Sequence, residues 1–111
     1  MELEELALCT REEIEKEINK ICPYPANPKN LYEEDRVLHE RVNIRQSLKR
    51  LQIEALLDGK LTVDQVLEQQ YSEDDEGGIG RNSLEDAIKE VKEGGNRYEI
   101  VERLFEYMEL L

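Results

Sequence analysis

Between residues 30 and 57 the apolar positions fall on two stripes rather than one. At about 100° per residue, Val37, Ile44, Leu48, Leu51 and Ala55 share a face, while Leu38, Val42, Ile53 and Leu56 lie roughly a third of a turn away. A helix that is apolar on two sides must touch neighbours on both, so the pattern predicts a long central helix. Shorter segments repeat the helical period around it. Ile14, Ile18 and Ile21 mark a helix over 10–21, and Val63, Val66, Leu67 and Tyr71 one over 62–71. Leu84, Ala87, Ile88 and Val91 mark 83–93, and Tyr98, Val101, Leu104, Phe105 and Met108 mark 97–110. A short helix over Glu2–Leu8 has a weaker pattern. No stretch alternates apolar and polar positions between hairpin turns, so the fold expected is all-α. It is a single compact domain of about five helices around the long one at 30–57.

The boundaries have their own chemistry. Thr10 with Glu13 forms a capping box, in which the hydroxyl accepts from the backbone three residues on and the carboxylate reaches back. The pattern recurs at Asn30 with Glu33, Thr62 with Gln65 and Asn96 with Glu99, and in shorter form at Ser83 with Asp86. Cys9 with Ile14 and Leu61 with Val66 read as hydrophobic staples. The prolines of CPYPANP (22–28) stop one helix, while Asp58-Gly59 and Gly94-Gly95 stop two others. Residues 72–82, SEDDEGGIGRN, remain as an acidic, glycine-rich loop between the third and fourth helices, with Asn82 or Ser83 expected to cap the helix that follows.

Composition narrows the function classes. The chain has 111 residues, one domain's worth, with 39% hydrophobic and 38% charged residues, no Trp and one Phe. Leu, Ile and Val must therefore build the core. The formal charge of −12 argues against binding to nucleic acid or to an anionic membrane surface, both of which need clustered Lys and Arg. Within that acidity the charge is segregated: residues 41–52 hold Arg41, Arg45, Lys49 and Arg50 and no acid. The opening MELEELALC lacks a basic region and a long apolar run, so a signal peptide is not expected and the cytoplasm is the expected location. Cys9 and Cys22 flank a helix that would hold their Cα atoms about 20 Å apart at its usual rise, too far for a disulfide.

Candidate chemistry is sparse. The run Glu73, Asp74, Asp75 and Glu76 before Gly77 resembles part of an EF-hand calcium loop. With Ser72 as its first position, however, the twelfth is Ser83 rather than the bidentate Glu; starting from Asp74 places Glu85 correctly but loses the glycine at the sixth. A helix-turn-helix over the third and fourth helices would need a turn of about 3–4 residues, and the fourth helix carries Glu85, Asp86, Glu90 and Glu93. No carboxylate pair, His cluster or phosphate-cradling loop singles out catalysis, a metal or a cofactor, and His39 stands opposite the main stripe. Arg41, Arg45 and Lys49 either pair with acids of neighbouring helices or form a docking stripe.

The expectation is a non-enzymatic protein that binds a basic protein partner through its acidic surface, including 73–76, with a homodimer through the long helix as a further interaction. By analogy with other small acidic helical proteins, some from phages and mobile elements, its role would be inhibitor, immunity or antitoxin-like binder, adaptor or nucleic-acid mimic. The alternatives are a helix-turn-helix DNA-binding regulator and a degenerate EF-hand-like calcium module.

Overall fold

A computed structural model describes residues 2–25, 31–69 and 80–109, the last three by backbone alone. The fold is all-α, with helices α1 (Leu3–Leu6), α2 (Arg11–Ile21), α3 (Leu31–Leu57), α4 (Val63–Gln69), α5 (Arg81–Lys92) and α6 (Arg97–Glu109). At 27 residues, α3 runs about 40 Å. Two apolar clusters are strung along it. Ile53, Ala55 and Leu56 of α3 meet Leu61, Val66 of α4, Leu84 and Ala87 of α5, and Ile100, Val101 and Leu104 of α6. Nearer the middle of α3, Leu48 meets Leu6 and Ala7 at α1 and Ile14 and Ile18 of α2. Gln69 links the two regions, its amide donating to the carbonyls of Ala7 (2.8 Å) and Cys9 (2.7 Å).

The capping chemistry forms largely as written in the chain. Thr10 Oγ1 accepts from the Glu13 N–H at 3.3 Å, and the Thr10 N–H donates to Glu13 Oε1 at 3.4 Å. Thr62 and Gln65 make the same reciprocal pair at 3.2 and 2.8 Å, and Asn96 Oδ1 accepts from the Glu99 N–H. Gly59 and Gly94 both adopt positive φ, 79° and 90°. Each closes its helix with the paired bonds of a Schellman motif: Lys60 N–H to Ala55 O and Gly59 N–H to Leu56 O, then Gly95 N–H to Glu90 O and Gly94 N–H to Val91 O.

Several sequence expectations need correction. The weakly patterned amino-terminal segment does form α1, and Leu6 is fully buried, because its apolar side covers the α2–α3 contact. α5 begins at Arg81 behind Gly80, with no side-chain cap, so the loop expected to run to 82 ends earlier and both Asn82 and Ser83 lie inside the first turn rather than ahead of it. Ile21 and Tyr98 stand exposed at the ends of their helices, and Ile100 takes the buried place on α6. The second stripe of α3 is divided: Ile53 and Leu56 are buried, whereas Leu38 and Val42 are in solvent. Asn30, Tyr71 and the side chain of Met108 lie outside the described residues.

Candidate functional site: an acidic cleft between α1 and α3

The basic stretch of α3 faces its acidic neighbours. Arg41 is only 5% exposed; its guanidinium donates to the Cys22 carbonyl at 2.8 Å and lies 4.3 Å over the Tyr24 ring. Arg45 pairs with Glu15 of α2 at 2.6 Å. Arg50 pairs with Glu102 and packs over Phe105, both on α6, with 4.5 Å to the ring centroid. Lys49 is half-buried on the same stretch. Of the two arrangements open to these cations, Arg41 and Arg45 make the intramolecular one. Burial of Arg41 leaves it no face to present outward.

Further pairs follow the same rule. Arg97 of α6 meets Asp58 at 2.6 Å, Arg103 meets Glu90 at 2.9 Å, and Arg81 meets Asp64 and, at 3.9 Å, Glu85. Lys89 reaches Glu93 at 4.0 Å. Hydrogen bonds from Arg45, Arg97 and Arg50 hold the carboxyls of Glu15, Asp58 and Glu102 below their ordinary range. On α5, Arg81 and Lys89 are engaged by Glu85 and Glu93, and Asp86 adds a further carboxylate, an unfavourable face for phosphate.

Because arginines are drawn into internal pairs, carboxylates are left over. Three of them, Glu4, Glu5 and Glu54, line a cleft of about 310 Å³ between α1 and the carboxyl half of α3. Its lining is Glu4, Glu5, Glu54, Asp58 and Lys60 around an apolar floor of Leu8, Leu51 and Ala55. Arg97 lies at the Asp58 end, also donating to the Glu54 carbonyl at 3.3 Å. Glu4 and Glu5 make no ion pair among the described residues. An apolar floor under a carboxylate rim suits a lysine or arginine side chain, whose alkyl stem packs while its head stays at the charged edge. The sequence reading missed this cleft because it depends on α1, the helix with the weakest pattern.

Little else is equipped for chemistry. Burial, then the neighbouring Glu13, pushes the Cys9 thiol up; burial and the hydrogen bond to Glu40 do the same for Cys22. Neither is a primed thiolate. Among the described residues no group of His, Cys, Asp and Glu is placed to hold a metal ion, and no helix is long and apolar enough to cross a membrane. Glu73, Asp74, Asp75 and Glu76, with the calcium-loop reading that rests on them, lie outside the described residues. Comparison of the chain with protein-family models, curated proteins and solved structures finds no match.

Proposed function

We propose that the protein is a non-enzymatic binding protein that engages a basic protein partner through its acidic surface, with the α1–α3 cleft receiving a lysine or arginine side chain. The observation that carries this reading is the cleft itself: Glu4, Glu5 and Glu54 line it over an apolar floor, while nearby arginines are occupied within the fold. Electrostatic complementarity of this kind speeds encounter and selects against acidic competitors.

The test is parallel affinity capture with the wild-type chain and a Glu4→Gln/Glu5→Gln/Glu54→Gln variant, at low and high salt. Basic proteins retained by the wild type, and lost both in the variant and at high salt, are the expected result. A captured set with no bias toward basic proteins, or one the variant retains in full, overturns the proposal.

A further inference from the structure

The uncovered end of the second α3 stripe has a regular spacing. Leu31, Asp35, Leu38, Val42, Arg45 and Lys49 succeed one another at intervals of four and three, the seam along which two helices pack at a shallow crossing angle. Continued toward the carboxyl end, this side of the helix reaches Leu56, which is buried. At the amino end, Leu31 is 78% exposed, Leu38 42% and Val42 48%, with Tyr32 beside them at 77%. The opposite side of α3 is occupied there, since Val37 is buried and Arg41 reaches Cys22. Three turns of a rigid helix thus present an apolar ridge with no intramolecular cover among the described residues.

We infer that this ridge docks on the same ridge of a second copy of the chain, antiparallel, about a two-fold axis near residue 40. Symmetry of the seam and its charge select that occupant. About residue 40, every seam position maps to another seam position: Leu38 onto Val42, Asp35 onto Arg45 and Leu31 onto Lys49. Asp35 then opposes Arg45 with opposite sign, Lys49 lies over Leu31, and the acidic first turns of α3 (Glu33, Glu34, Asp35) meet the basic stretch that follows Glu40. A parallel pair would instead stack Asp35 on Asp35 and Arg45 on Arg45. Arg45 already serves Glu15, yet its side chain remains 40% exposed and a guanidinium has five N–H donors, enough to take a second carboxylate. A two-helix seam of about five turns is small beside a standard interface, which places the dimer among weak, concentration-dependent associations.

Sedimentation equilibrium over a concentration series into the millimolar range tests this, read beside circular dichroism. The wild type is expected to pass from monomer to dimer. Leu38→Asp and Val42→Asp are expected to remain monomeric with unchanged helicity, because both side chains already face water. Asp35→Asn is expected to weaken the dimer by roughly threefold to tenfold, since two symmetric pairs are lost. A wild-type chain that stays monomeric throughout overturns the inference, as does a dimer that survives Leu38→Asp. If Asp35→Asn tightens the dimer, the antiparallel arrangement is wrong.

Discussion

Arg41 illustrates how one side chain can be legible in kind and misleading in role. The sequence places it between two apolar stripes, where a cation reads equally as a docking group or as an internal tie. In the structure the chain leaving α2 closes over it, and the Cys22 carbonyl and the Tyr24 ring occupy its two recognition surfaces, edge and face. A planar guanidinium can serve both together, whereas a lysine ammonium cannot. Arg41→Ala is therefore expected to cost about 2–3 kcal/mol in urea unfolding, the scale for losing a buried hydrogen bond to a charged group. Arg41→Lys should recover only part of that. A loss within error of zero for Arg41→Ala would mean that the Cys22–Tyr24 segment is held by other contacts.

Among the elements, α1 and α3 separate what sequence pattern reveals from what it hides. Helix termini are encoded locally, in a cap residue or a glycine, so the capping boxes at Thr10 and Thr62 and the stops at Gly59 and Gly94 were readable from the chain. Gly94→Ala, at φ 90°, is expected to lower stability by about 1–2 kcal/mol, measured by thermal or urea unfolding. Burial is decided by partners. Only the packing of α4, α5 and α6 against the carboxyl half of α3 determines that Ile53 is covered and Val42 is not, although the two share a stripe. The four-residue α1 has too few turns for periodicity to register, yet it supplies Leu6 to the core and both Glu4 and Glu5 to the cleft. Leu6→Ala should accordingly cost about 2–5 kcal/mol, as for a buried leucine elsewhere. If α1 were an optional flap, the same substitution would leave the unfolding midpoint unchanged.

For the molecule as a whole, the net charge of −12 and the internal ion pairs act on stability at different ranges. Arg45–Glu15, Arg97–Asp58 and Arg103–Glu90 lie within 3 Å, far inside the screening length of about 8 Å at physiological ionic strength. Repulsions between carboxylates spread over a body 53 Å long act mostly beyond that length. Salt therefore screens the unfavourable interactions more than the favourable ones, and at neutral pH the urea midpoint is expected to rise with ionic strength. Acid reaches the pairs themselves. Glu15, Asp58 and Glu102 have folded pKa values below their unfolded ones, so their contribution is complete above the ordinary carboxylate range. It declines as pH falls from there through the lowered folded values, where the native state must take up protons that the unfolded chain already holds. Measured downward from about pH 5, the advantage of wild type over Arg97→Ala in unfolding midpoint should shrink, because the variant has already freed Asp58 from its partner. A slope identical to wild type in that variant would show that the Arg97–Asp58 pair contributes nothing to the acid limb.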